Sequence, residues 1–105
     1  MVKARRPKTD WNLCLYVAGS APESAAALRN LTQICEAHLA GRYRIDVIDL
    51  VKNPRIARED QIVVLPTVVR KQPLPLRKII GDLSNTERAL AGLDLRADRV
   101  DSTRL

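Results

Sequence analysis

The chain is nearly without aromatic residues: Phe is absent, and Trp and Tyr together make up 3% of its 105 residues. Its core must therefore be built from Leu, Ile, Val and Ala, and no aromatic platform is available for stacking nucleobases. No apolar run approaches the ~20 residues of a membrane span, and the start lacks the apolar stretch of a secretory signal. A cytoplasmic location is the resulting expectation. The four glycines stand singly, which excludes a Gly-rich phosphate loop. No Gly-x-Ser-x-Gly elbow exists, and Ser20 and Ser24 have no base beside them in sequence. His38 is the only histidine, and Ile34 and Arg42 occupy the positions four away, so a metal site has no support. A helix-terminal His interacting with the dipole is the simpler role.

Cysteine is scarce as well. Cys14 and Cys35 lie 21 positions apart with no Cys-x-x-Cys, so neither dithiol redox chemistry nor a zinc knuckle is indicated. Cys14 falls mid-strand and Cys35 on the buried stripe of a helix, where a free thiol behaves as a small hydrophobe. Asp46 and Asp49, three apart on one predicted strand, point to opposite faces and cannot work as an acid–base pair. With no nucleophile beside a base, a binding domain is expected rather than an enzyme.

The charge balance is +6, but Lys3, Arg5, Arg6 and Lys8 supply four of those charges with no acid among the first eight residues. Residues 1–10 are accordingly predicted to be a disordered basic tail, and nucleic acid is not the expected partner. One domain over residues 11–95 follows, with 96–105 as a flexible C-terminal tail that lacks periodicity.

Trp11 to Ala18 alternates, with Leu13, Leu15 and Val17 on one face and Asn12, Cys14 and Tyr16 on the other, which is a strand pattern. Ser20 and Glu23 have capping-box spacing, with Pro22 in the first turn. A helix follows to about Ala40, its stripe formed by Leu28, Leu31, Ile34, Cys35, His38 and Leu39, with Gly41 as the stop. Tyr43 to Leu50 forms a second strand, and strand–helix–strand spacing of this size implies a parallel pair. Asn53-Pro54 opens a short helix to about Gln61.

Ile62 to Val69 is a β-branched run interrupted by Pro66. Proline removes a ladder donor, so the strand is expected to start at Pro66 or Thr67, with Ile62 to Leu65 as a buried approach segment. A cis Leu65–Pro66 bond costs only about 0.5–1 kcal/mol at such a place. Pro73 and Pro75 mark a strand-to-strand turn before a brief strand at Leu76 to Ile80. Ser84 and Glu87 form a second capping-box pattern for a helix over Asn85 to about Leu93. The stretch Leu90 to Leu95 supports two readings: as helix it contains Gly92 and a C-terminal Asp94, and as strand Leu93 and Leu95 alternate with them. This element order is the skeleton of a thioredoxin-like α/β fold, yet Ala18 to Ser24, where that fold carries its redox pair, contains no thiol.

Leu15-Tyr16-Val17-Ala18-Gly19, Val47-Ile48-Asp49, Lys52-Asn53-Pro54, Glu59-Asp60, Pro66-Thr67, Gly92-Leu93-Asp94-Leu95 and above all Ile79-Ile80-Gly81-Asp82-Leu83-Ser84-Asn85 resemble the KaiB family. The likeness spans about Leu13 to Leu95. It implies a non-enzymatic clock-type regulator without cofactors that binds the hexameric ATPase KaiC and, in cyanobacteria, helps to sequester KaiA and displace the kinase SasA. It also implies a metamorphic second half. In an oligomeric ground state, a tetramer or dimer, that half is arranged differently from a monomeric, KaiC-binding, thioredoxin-like state. A crystal is expected to hold the ground state.

Carried over by position, the resemblance implies partner contacts at Arg44, Asp46, Lys52, Asn53, Arg58, Glu59 and Asp60. It implies fold-switch positions at Pro66, Pro73, Pro75, Gly92 and Asp94, and an oligomer contact at Trp11. Asp46 departs from the family, whose clock members have a basic residue there, and the mixed charge of Arg96 to Asp101 departs from their acidic tail. A KaiB homologue from a bacterium lacking KaiA, serving a KaiC homologue or stress adaptation, fits these departures. The alternatives are a thioredoxin-like adaptor docking to a sensor histidine kinase and a residual thiol redox protein using Cys14 or Cys35.

Overall fold

The computed structural model describes residues 10–95, so the expectations for the two tails lie outside the described residues apart from Asp10. The elements are β1 (Trp11–Val17), α1 (Pro22–Leu39), β2 (Tyr43–Asp49), α2 (Pro54–Glu59), β3 (Thr67–Gln72), β4 (Arg77–Ile80) and α3 (Thr86–Leu93). The sheet order is β2-β1-β3-β4. β1 and β2 pair in parallel from Trp11 opposite Tyr43 to Val17 opposite Asp49. β3 runs antiparallel to both β1 and β4, with a register shift between Asn12 and Leu13. This is the thioredoxin-like arrangement that the element order implies. Among the described residues no helix is long and apolar enough to cross a membrane.

Because side chains alternate along a strand, the sheet separates two apolar clusters. Leu13, Leu15 and Val17 join Ala27, Leu31, Cys35 and Leu39 of α1 and Ala89 and Leu93 of α3. On the opposite face Cys14, Tyr16, Leu50, Ile62 and Val69 form a smaller cluster backed by Ile56 of α2. Both faces of β1 are thus covered, as a central strand requires.

The local chemistry departs from the sequence expectation at several points. The buried stripe of α1 runs through Ser24, Ala27, Leu31, Ile34, Cys35 and Leu39, and Leu28 sits on its flank, 38% exposed. Ser20 does not cap this helix. Ala21 is the N-cap without a side-chain bond, and the buried Ser24 hydroxyl instead accepts from Ala18 N–H at 3.1 Å. Asn53 likewise gives no cap bond; its amide donates back to Asp49 C=O at 3.1 Å, closing the turn after β2. α3 starts one residue later than the Ser84–Glu87 spacing implies, because the Asn85 side chain takes the capping role, accepting from Arg88 N–H at 3.1 Å.

β3 begins at Thr67 and the Leu65–Pro66 bond is cis, as are Gln72–Pro73 and Leu74–Pro75. The approach segment is buried only at Ile62. Val63 is 90% exposed, because the chain bends there and Val64 C=O accepts the Thr67 hydroxyl. The ambiguous stretch resolves as helix through Leu93, followed by Asp94 in the left-handed region (φ 61°), a conformation that Asp tolerates better than most residues.

Candidate functional site

β2 is an outer strand, so one side of its backbone has no neighbour in the sheet. Arg44 and Asp46, two apart, share a face of it and pair at 3.2 Å while both remain more than half exposed. Such a pair contributes little to stability, and its charges are available to a partner. Across the sheet Cys14 is aligned with Asp46 and Val69, on the face partly covered by α2.

α2 lies over one end of that face only. Three shallow hollows adjoin there, two on the uncovered part of that face and one along α2 itself. The first is lined by Asn12, Arg44, Asp46 and Lys71, the second by Tyr16, Glu59, Asp60, Lys71, Leu76 and Lys78, and the third by Lys52, Asn53, Arg55 and Glu59. Lys71 is shared by the first two and Glu59 by the last two, so the hollows form one continuous band. All seven predicted partner residues are on it or in the short helix bordering it, with Arg58 exposed in the last turn of α2. Sequence reasoning missed Lys71 and Lys78. Alternation along β3 and β4 was the available signal, but it required the register across the sheet.

The band is not equally free throughout. Asp60 accepts from the buried Tyr16 hydroxyl at 2.6 Å and has Lys71 Nζ at 3.8 Å, so it fixes α2 against the sheet as well as facing solvent. Burial, with the Asp60 bond next, pushes the Tyr16 phenol well above its ordinary range, so it remains a donor. Lys78 Nζ donates to Gln61 C=O at 3.0 Å, holding the end of α2 to β4. Asp49 Oδ1 accepts from Gly19 N–H at 3.0 Å and Val51 N–H at 2.9 Å, and these bonds hold its carboxyl below the usual range.

Chemistry beyond binding finds no constellation here. Cys14 and Cys35 are buried in the two separate clusters on opposite faces of the sheet. Burial raises both thiols, Cys35 to about 12, which disfavours the thiolate that exchange requires. Among the described residues no group of three His, Cys, Asp or Glu could hold a metal. Trp11 is 3% exposed in the core, and in this arrangement it meets the Arg70 guanidinium rather than solvent.

The five positions at which the resemblance implies a fold switch all lie in the second half. Pro66 is buried, whereas Pro73 and Pro75 are exposed between β3 and β4. Gly92 lies against β4: a Cβ added there would come within 2.6 Å of Ile79 Cδ1 and 2.8 Å of its Cγ1. Asp94 follows, 3.8 Å from Arg77.

Known proteins place this geometry. The KaiB domain model matches residues 14–95. The circadian clock oscillator protein KaiB of Synechococcus elongatus is 49% identical over 89 residues, covering 85% of this chain and 87% of that protein. The KaiB of Acaryochloris marina is 54% identical over 83 residues, covering 79% and 80%. Among solved structures, the N-terminal domain of Synechococcus elongatus SasA superposes with a TM-score of 0.71 at 17% identity, covering 93% of each chain. Yeast mitochondrial thioredoxin 3 gives 0.64 at 24% identity, covering 84% of this chain and 80% of that one. The thioredoxins share the fold alone; the sequence match runs through β1 to α3 and includes both halves of the band, and on it the chain belongs to the KaiB family.

Proposed function

We propose that this chain is a non-enzymatic regulator that binds a KaiC-type ATPase through the band formed by β2, α2 and Lys71. The observation that carries the reading is that Arg44 and Asp46 on the outer strand β2, Lys71 on β3, and Glu59 and Lys52 in and before α2 line adjoining hollows, within a KaiB-family chain whose two cysteines are buried. Such a surface offers alternating charges and a free backbone edge but no reacting group, which suits docking rather than turnover.

Binding is linked to a change in the second half. The ground state is a homo-oligomer with β3, β4 and α3 rearranged, and the thioredoxin-like arrangement is the binding-competent one. A SasA-type kinase domain of the same fold then competes for the same ATPase surface, and KaiA-type partners join afterwards. The Arg44–Asp46 pair, in place of a second cation, shifts the charge pattern toward a KaiC homologue whose docking surface is less acidic.

The test is a pull-down on a KaiC homologue with wild-type chain and with Arg44→Glu plus Arg58→Glu, both at exposed positions. Capture by wild type, weakened at least about tenfold in the variant, is the expected result. Failure of wild type to be captured in either nucleotide state overturns the reading. Sizing by light scattering across a dilution series addresses the switch: a shift toward monomer with stronger capture supports it, and no shift in either removes it.

A further inference from the structure

Arg70 is an anomaly in the core. It is 3% exposed, and among the described residues no carboxylate lies within ion-pair distance of it. Its guanidinium makes two bonds to backbone carbonyls instead: Nη1 donates to Leu93 C=O at 2.7 Å and Nη2 donates to Pro75 C=O at 2.9 Å. The plane also lies over the Trp11 ring, 5.3 Å from its centroid, and Nε has no partner. Burial, with Arg77 nearby, lowers its pKa from the ordinary guanidinium value, while Asp94 acts the other way. Guanidinium remains charged even so.

The carbonyls it holds belong to the end of α3, where Ala89, Leu93 and, just beyond the helix, Leu95 are in the main core, and to an exposed connection. Leu93 is in the last turn of α3, where the final carbonyls lack intrahelical partners and the dipole is negative. α3 buries only Ala89 and Leu93 within its span and packs chiefly on β4, a four-residue outer strand. Pro75 lies in the exposed connection between β3 and β4. Arg70 itself is on β3, an inner strand paired on both sides.

We propose that Arg70 is a latch: one buried guanidinium ties the end of α3 and the β3–β4 connection to the central sheet, so that the two release together. The physical reason is that a buried cation is tolerated only while its acceptors are in place. If α3 lifts, one acceptor is lost and water reaches the guanidinium, which removes its hold on Pro75 C=O. Lysine cannot reproduce this, because a single ammonium does not present the planar fork that meets two carbonyls. The latch sits in the half that the proposed function requires to rearrange, but it holds or fails independently of any ATPase partner.

The test is hydrogen exchange on the free wild-type chain, Arg70→Met and Arg70→Lys. Removing a buried charge moves global stability in either direction, so the readout is the ratio of exchange rates of α3 amides to those of β1. Arg70→Met keeps the apolar stem and deletes both bonds, and the ratio is expected to rise at least about tenfold. Arg70→Lys is expected to raise it as well. An unchanged ratio in Arg70→Met, or full retention of the wild-type ratio in Arg70→Lys, overturns the latch. Should Arg70→Met fail to fold, Arg70→Lys decides in the same way.

Discussion

Residues 11–50 and residues 54–95 build the same sheet by different means. In the first region, seven residues of β1 pair with seven of β2, and an 18-residue helix buries six side chains over them. In the second, the inner strand β3 buries Val68 and Val69, but α2 buries nothing fully, β4 has four residues, and α3 sends two buried side chains into the shared core. Polar ties compensate there: Tyr16 to Asp60, Lys78 to Gln61 C=O, and Arg70 to Leu93 and Pro75. Apolar burial is non-directional and tolerates small displacements, whereas each polar tie holds only in one geometry. The outer elements of the second region, α2 and β4, therefore lean on specific bonds more than anything in the first region does.

The largest test of this contrast is a matched pair of core truncations. Leu31→Ala in α1 and Leu93→Ala in α3 both remove fully buried side chains, and each is expected to cost about 2–5 kcal/mol. Denaturant unfolding followed by hydrogen exchange should show Leu31→Ala weakening the whole domain and Leu93→Ala freeing α3 first. Equal protection loss across both regions in Leu93→Ala would erase the distinction. A second pair compares the helix starts. Asn85→Ala is expected to cost about 1 kcal/mol in thermal unfolding, since it removes a real cap, whereas Ser20→Ala is expected to stay within about 0.5 kcal/mol.

Acid supplies a third comparison, with one carboxylate on each side. Bonds from Gly19 N–H and Val51 N–H lower Asp49, and the Ser84 N–H lowers Asp82, both from 3.8. A depressed folded pKa contributes stability above the unfolded value, and that contribution is lost as pH falls through the folded value. Carbon-detected titration should place both midpoints below 3.8. A midpoint above that for either one means its loop bonds do not persist in solution. The smallest effect belongs to the docking band: Arg44→Ala breaks only an exposed pair, so stability should shift by less than about 1 kcal/mol. A larger loss would mean the pair is structural.

The first region was legible in the sequence because one period dominated each element. Alternation at Trp11 to Val17 and the stripe at Leu31, Ile34, Cys35 and Leu39 both gave the right faces. The caps were less so: Ser20 has the right spacing, yet Ala21 is the N-cap and carries no cap bond, while the bond expected of Ser84 is taken by the adjacent Asn85, choices that pattern alone does not make. Arg70 was invisible as a core residue, since nothing in Val68-Val69-Arg70-Lys71 tells which cation is buried. The band was half legible. Residues on one strand or helix share a face by periodicity, but Lys71 and Lys78 join it only through cross-strand register.

The strand order places β2 at one border of the sheet and β4 at the other, so each half of the chain owns one rim. A protein that grips the β2 rim alone is blind to how the C-terminal elements are folded. One whose footprint straddles to Lys71 and Lys78 senses both, and its affinity becomes a gauge of conformation.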